Sequence, residues 1–225
     1  MLAPLRSRPL ARTWFAVTAL CVAVGVVVDV VTAGTGDGGF FNEPWDRRLN
    51  VLAYFTIQSN LLVGLSSLLL ALDPDRDSPA RRWLRLTALA AISVTGIVYH
   101  LVLAGLVDLS GWGLLADTLV HTVVPLLAVG GFVLLGPRGR TSGRLLPVTL
   151  LFPVAWTAFT LVRGPLVGGF WPYPFVDVDE LGWGRVLLNV AVVGVLFVGV
   201  AALLHGVDRV MRRTTGPAPP RPVGG

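Results

Sequence analysis

The chain has 225 residues, of which 54% are hydrophobic and only 14% are charged. A soluble domain carries about 25% charged residues, so this composition argues against a water-soluble protein and favours several membrane-spanning helices. The net charge of +5 comes from 18 basic residues, all of them arginine. Because the arginines form short clusters between apolar runs, they indicate membrane topology and not nucleic-acid binding.

Six apolar runs are long enough to cross a bilayer, which takes about 20 helical residues. They predict an all-α fold, a polytopic integral membrane protein with six transmembrane helices. The chain then divides into an N-terminal segment (1–13), a six-helix transmembrane domain (14–208) and a disordered, Pro/Gly-rich tail (209–225). In chain order, the predicted helices are Trp14–Ala33, Leu49–Leu72, Leu86–Val107, Leu114–Leu135, Leu145–Val162 and Val186–Val207.

The arginines are divided unequally between the two sides of the membrane. Fourteen of the 18 fall on the side that holds both termini, and four fall on the other side. By the positive-inside rule, both termini are expected in the cytoplasm. The absence of lysine is typical of a high-GC bacterial genome, so a bacterial plasma membrane is expected. The opposite, outer side is acidic, with Asp37, Glu43, Asp46, Asp108, Asp117, Asp177, Asp179 and Glu180.

Polar side chains lie within the apolar runs, where each one costs several kcal/mol and therefore suggests a site. The second predicted helix starts at Leu49, so Thr56 is expected about 10 Å deep at the helical rise per residue. His100 and His121, measured from the outer ends of the third and fourth helices, reach the same depth of about 10 Å. The sequence thus predicts a pocket in the outer leaflet that contains these three residues.

Helical periodicity adds candidates to this pocket. Residues three and four apart share a helix face, so Thr56, Ser59 and Asn60 form one polar stripe. Asp117 lies four residues before His121, where it can bond one ring nitrogen and fix the tautomer. Three further polar residues lie near the outer ends of the first, fifth and sixth helices: Asp29, Arg163 and Asn189.

These residue types suit acyl transfer. A threonine hydroxyl is a weak nucleophile that needs a neighbouring base, and histidine serves as a base near neutral pH. Thr56 and His121 would take these roles, with Asp117 behind the histidine. A pocket entered sideways from lipid takes an amphiphilic substrate, so hydrolysis of a long-chain acyl ester is expected. Donors to the developing oxyanion would be Asn60, Ser59 and His100.

Three stretches resemble motifs of a known family. YFTIQSNLL, DTLVHTVVPLL and GGFWPYPFVDV are similar to segments of the androgen-induced and androgen-dependent membrane proteins and of their small bacterial integral membrane branch. The animal members are multi-helix threonine hydrolases that cleave fatty acid esters of hydroxy fatty acids. Over roughly residues 45–185, the resemblance implies the same fold, with Thr56 as nucleophile and His121 as base. It assigns no role to the other candidates, which rest on geometry alone.

Two other functions remain open from the sequence. A transporter or a membrane protein that binds a lipid or small molecule would use the same pocket without covalent chemistry. A non-enzymatic helical scaffold would expose a face of small residues, which the Gly/Ala/Val pattern of the sixth helix provides. One cysteine, Cys21, and no Cys/His metal spacing predict neither a disulfide nor a metal, and no cofactor is expected. The expected partner is a membrane lipid or amphiphilic ester.

Overall fold

The computed structural model describes residues 7–35 and 40–214. All the regular elements in these ranges are helical, and six segments are long and apolar enough to span a membrane. The predicted all-α, six-helix membrane fold is therefore confirmed. The six spans are Arg8–Ala33, Phe55–Leu72, Pro79–Leu103, Gly111–Leu134, Gly143–Leu166 and Val178–Arg213.

Several spans are built from more than one helical piece. Two of them contain a π-helical turn, Tyr99–Leu103 in the third span and Leu119–Val123 in the fourth. Short 3₁₀ turns precede the fifth and sixth spans' main helices, at Gly143–Leu145 and Pro174–Val176. The α-helices are α1 (Arg8–Ala33), α2 (Pro44–Val51), α3 (Phe55–Leu72), α4 (Pro79–Val98), α5 (Gly111–Thr118), α6 (Val124–Leu134), α7 (Leu146–Thr149), α8 (Leu151–Leu166) and α9 (Val178–Thr214).

The second span differs most from the prediction. The apolar run that begins at Leu49 forms the end of α2, which stops at Val51, and the whole of α3, which starts at Phe55. Between them, the amides of residues 52–54 bond carbonyls three residues back, and this tight turn separates the helices. Thr56 therefore lies in the first turn of α3, and the continuous helix predicted from Leu49 is wrong.

Charged residues extend the first and last helices beyond the apolar runs that predicted them. α1 begins at Arg8 and α9 continues to Thr214, so parts of the segments 1–13 and 209–225 are helical. The disorder predicted for residues 209–214 is wrong, because arginine and methionine are good helix formers and continue α9 past its apolar part. Residues 1–6, 36–39 and 215–225, with Arg6, Asp37 and Arg221, lie outside the described residues.

α4 is the central helix of the bundle. It packs against α3, α6 and α9, and most of its residues from 84 to 95 are buried. α1 packs through small residues against α3 and against the π-helical turn Leu119–Val123. A Cβ atom added to Gly64 would lie 2.9 Å from a Val22 methyl, and one added to Gly25 would lie 3.0 Å from a Val120 methyl. Glycine therefore permits the close approach of these helices, as is common in membrane bundles.

One end of the bundle, which we call the arginine-rich end, is closed by side chains that bond the backbone. Arg140 donates hydrogen bonds to the carbonyls of Pro74 and Asp75 across 3.0 and 2.8 Å. Asp208 is 1% exposed and accepts bonds from the amide and the hydroxyl of Thr141 across 3.1 and 2.7 Å. These bonds fix the loops at this end. The opposite end, which we call the acidic end, carries α2 and the loops 104–110 and 167–177.

Candidate active site

Thr56 and His121 lie side by side near the acidic end. The hydroxyl oxygen Oγ1 of Thr56 is 3.2 Å from Nε2 of His121, which is a hydrogen-bonding distance. Thr56 is buried, with 6% of its surface exposed. The predicted approach of these two side chains is confirmed, and it meets the geometric requirement for a nucleophile and its base. Their catalytic roles stay predictions.

A π-helical turn presents His121 to the site. Pro125 has no amide hydrogen to bond the carbonyl of His121, as an α-helix would require. The amide of Val124 instead bonds the carbonyl of Leu119, five residues earlier. Such turns interrupt membrane helices locally and are frequent at functional sites. The signal in the sequence is the proline four residues after the histidine.

Asp117 orients the imidazole of His121. Its Oδ1 lies 2.9 Å from Nδ1 of His121, and its backbone carbonyl lies 3.2 Å from the same nitrogen. Both contacts favour a proton on Nδ1, which leaves Nε2 of the neutral ring free to accept the proton of Thr56. Asp117 therefore lies where the spacing of four residues predicted it.

Tyr99 holds both members of this pair, although no sequence pattern indicated it. Its hydroxyl donates a hydrogen bond of 2.5 Å to Oδ2 of Asp117. Its ring stacks on His121, with 4.0 Å between the centroids and 10° between the planes. Tyr99 thus restrains the carboxylate and the imidazole together.

His100 does not line this site, so its predicted role is wrong. It is exposed, and its Nε2 lies 3.2 Å from the hydroxyl of Thr122. Neighbouring residues on a helix point in directions about 100° apart. Because Tyr99 faces the site, His100 faces elsewhere, and equal depth in the membrane does not bring it to the pocket.

Ser59 and Asn60 are buried below Thr56 and bond other groups. The Ser59 hydroxyl lies 2.9 Å from both the carbonyl of Thr56 and the hydroxyl of Thr95. The Asn60 amide donates to the carbonyls of Thr56 and Val120 across 2.8 and 3.1 Å. Their predicted role as oxyanion donors is wrong, because backbone carbonyls already take these donors. Asn60 instead joins the first turn of α3 to the π-helical turn of His121.

Tyr173, in the loop between the fifth and sixth spans, covers Thr56. Its hydroxyl lies 3.1 Å from Oγ1 of Thr56 and accepts a 3.1 Å hydrogen bond from the Thr56 amide. Burial raises the pKa of Tyr173 to about 12, so the phenol stays protonated at physiological pH and remains a donor. The Thr56 amide belongs to the first turn of α3, so the Tyr173 hydroxyl lies at the positive end of the helix dipole. The Tyr-Pro pair in GGFWPYPFVDV was the signal for this residue.

The three remaining candidates have different surroundings. Asp29 lines the cavity that contains His121. Arg163 donates a 2.9 Å hydrogen bond to Oδ1 of Asn50 and so supports the wall of that cavity without being part of its lining. The prediction for Asn189 is wrong, because its amide donates to the carbonyl of Phe175 across 2.9 Å and braces the loop that follows Tyr173.

Two cavities meet at Thr56 and Tyr173. The first, which we call the vestibule, holds about 680 Å³ at the acidic end and is lined by both aromatic and charged side chains. The second, which we call the apolar cavity, holds about 360 Å³ between α4, α8 and α9. Both volumes fall within the range of ligand pockets, roughly 300–1,000 Å³. Members of the apolar lining include Phe55, Val94, Leu150, Trp156, Val193 and Phe197.

The site is thus defined by its own geometry. No family model matches this chain, and no curated protein or solved structure matches it either. Within residues 7–35 and 40–214, no group of three or more His, Cys, Asp or Glu side chains could hold a metal ion. The side chains that meet at Thr56, which are an imidazole, a carboxylate and a phenol, suit nucleophilic and acid–base chemistry.

Proposed function

We propose that this protein is an intramembrane hydrolase of lipid esters, with Thr56 as the nucleophile and His121 as the general base. The observation that carries the proposal is the 3.2 Å contact between Thr56 Oγ1 and His121 Nε2, with Asp117 on the other ring nitrogen. This order of groups is the one that activates hydroxyl nucleophiles in other hydrolases. The resemblance to membrane threonine hydrolases supports the same two assignments.

The proposed reaction has two steps. Thr56 Oγ1 attacks the ester carbonyl while His121 Nε2 takes the hydroxyl proton, and the carbonyl oxygen becomes an oxyanion. The Tyr173 hydroxyl and the positive end of the α3 dipole stabilise that charge. The ester C–O bond then breaks, and the alcohol leaves with the proton from His121. In the second step, water gives a proton to His121 and attacks the acyl-threonine carbonyl. The bond from that carbonyl carbon to Thr56 Oγ1 then breaks, Thr56 takes the proton back from His121, and the acid is released.

The two cavities support an amphiphilic substrate. Thr56 lies where they meet, so an ester carbonyl held there directs one half of the molecule into each cavity. The apolar cavity suits an acyl chain, because burial of its methylenes is worth about 0.8 kcal/mol each. The vestibule suits the alcohol half, which carries polar groups.

A transporter is the alternative use of the same cavities. Transport requires a path that continues toward the other end of the bundle. The cavities found among the arginines at that end hold only about 20 and 10 Å³. These volumes hold at most about one water molecule each, which favours the hydrolase.

Labelling by a fluorophosphonate probe tests the proposed nucleophile. We expect the purified protein in detergent to be labelled, and Thr56→Ala to be unlabelled, because the probe reacts with an activated hydroxyl. Thr157→Ala is the matched control, since Thr157 lines the apolar cavity but does not contact His121. Labelling of Thr56→Ala at the wild-type level would assign the nucleophile elsewhere. A wild type that neither reacts nor cleaves any of a broad panel of esters would favour binding or transport.

We also propose that the arginine-rich end faces the cytoplasm of a bacterial cell and that the vestibule opens toward the outer leaflet. The proposal rests on the division of the arginines, 14 against four. Alkaline phosphatase fused after Arg213 should be inactive, whereas the same enzyme inserted in loop 104–110 should be active, because it folds only outside the cytoplasm. The opposite pattern of activities would reverse the orientation.

A further inference from the structure

The vestibule contains a carboxylate that the proposed reaction does not use. Asp29 lies on α1, four residues before the helix ends, and is half-buried. It lines both the vestibule and an adjoining cavity of about 300 Å³ that also contains Asp117 and His121. Asp29 is therefore beside the proposed reaction centre.

The carboxylate of Asp29 has no hydrogen-bond donor or ion-pair partner among the described residues. Asp117, by comparison, is held by the hydroxyl of Tyr99 and by Nδ1 of His121. A partly buried carboxylate without donors is unfavourable unless water or a ligand supplies them. Asp29 thus presents its acceptors to the contents of the vestibule.

Two arginines at the acidic end direct donors to the protein itself. Arg47, which also lines the vestibule, bonds the carbonyl of Ala33 across 3.1 Å. Arg163 bonds Oδ1 of Asn50 and lies over two phenylalanine rings at 5.7 and 5.8 Å from their centroids. Asp29 and Asp117 thus place two carboxylates in the lining of the vestibule.

We infer that Asp29 selects the alcohol half of the substrate. Its carboxylate accepts hydrogen bonds from the free hydroxyls of a small neutral polyol, such as the glycerol of a monoacyl ester. An alcohol that carries its own carboxylate is disfavoured, because two negative side chains already flank the site and charges repel strongly where water is scarce. This inference rests on the proposed hydrolase function and names its substrate class: esters of one fatty acyl chain with a polyol.

The test compares two esters of the same acyl chain. One is monodecanoyl glycerol, and the other is a decanoyl ester of a hydroxy fatty acid, which carries a carboxylate on its alcohol half. We expect the wild type to prefer the glycerol ester in kcat/KM, and Asp29→Asn to reduce that preference about tenfold. The change should come mainly from a higher KM for the glycerol ester. Thr18→Ala is the matched control on α1, because the Thr18 hydroxyl bonds the carbonyl of Trp14 in its own helix and Thr18 lines neither cavity that contains Asp29.

Binding of uncleavable ethers separates this inference from the hydrolase proposal. Decyl glycerol ether and the decyl ether of the hydroxy fatty acid should bind the wild type with the same order of preference, and Asp29→Asn should lower that preference about tenfold. An unchanged preference in Asp29→Asn, in either assay, would overturn the role of Asp29 while leaving hydrolysis intact. If the wild type cleaves no ester but Asp29→Asn still lowers the preference between the two ethers, Asp29 is retained as the selecting residue and the hydrolase is rejected.

Discussion

Alanine at Thr56 or at His121 is expected to reduce ester hydrolysis by about 1,000-fold or more, and alanine at both should reduce it little further. The two side chains share one hydrogen bond of 3.2 Å, so either loss removes the same activated nucleophile. Thr56→Ser should keep part of the activity, because the hydroxyl survives. Asp117→Asn should lose less activity than His121→Ala, because Asp117 only orients the base and His121 is the base itself. Initial rates on a long-chain acyl ester measure these effects.

The matched control for His121 is His100→Ala. His100 belongs to the neighbouring span but is exposed and bonds Thr122, so its removal should leave the rate unchanged. Melting temperatures of all the variants show whether each protein is folded. Full hydrolysis by folded Thr56→Ala, or losses that multiply in the double variant, would contradict the joint action of these two residues.

Tyr173→Phe is expected to lower kcat about 100-fold with little change in KM, because it removes one donor to the oxyanion. The phenol lies 3.1 Å from Thr56 Oγ1, and phenylalanine keeps the ring that lines both cavities. Since burial raises the pKa of Tyr173 to about 12, the group stays protonated up to pH 10, and its contribution should persist over that range. Kinetics as a function of pH measure both expectations.

Tyr54→Phe is the control for Tyr173→Phe. Tyr54 also lines the vestibule and packs against the Tyr173 ring with 5.6 Å between centroids, but none of the described hydrogen bonds involves its hydroxyl. Its removal should leave kcat within a few-fold of wild type. Equal losses of kcat in the two variants would show that the effect comes from packing and not from a donated hydrogen bond.

The fold could be predicted because a bilayer imposes its thickness on the sequence. Six apolar runs correspond to six spans, because in lipid the backbone N–H and C=O groups of each run must form hydrogen bonds within a helix. The break between Val51 and Phe55 could not be predicted from hydropathy, because the residues on both sides of it are apolar. Hydropathy also does not predict the helix ends at Arg8 and Thr214, because it marks the part of a helix inside the hydrocarbon layer and not the part that extends beyond it.

The site could be predicted in part. The spacing of Asp117 and His121 gave their contact directly, because four residues make about one helical turn. The depth of a residue in the membrane does not tell in which direction its side chain points. Depth alone therefore predicts His100 in the site and gives no indication of its neighbour Tyr99. Tyr173 lies in a loop, where no periodicity places a side chain.

The chain order of these groups has a consequence for biogenesis. Thr56 and His121 both precede residue 135, whereas Tyr173 and two of the three helices around the apolar cavity follow residue 145. Chains are synthesised from the N-terminus at about 5–20 residues per second, and earlier parts fold first. During translation, the hydroxyl and the imidazole can therefore meet while the later spans are still in the ribosome. The apolar cavity beside them is complete only when α9 has entered the bilayer.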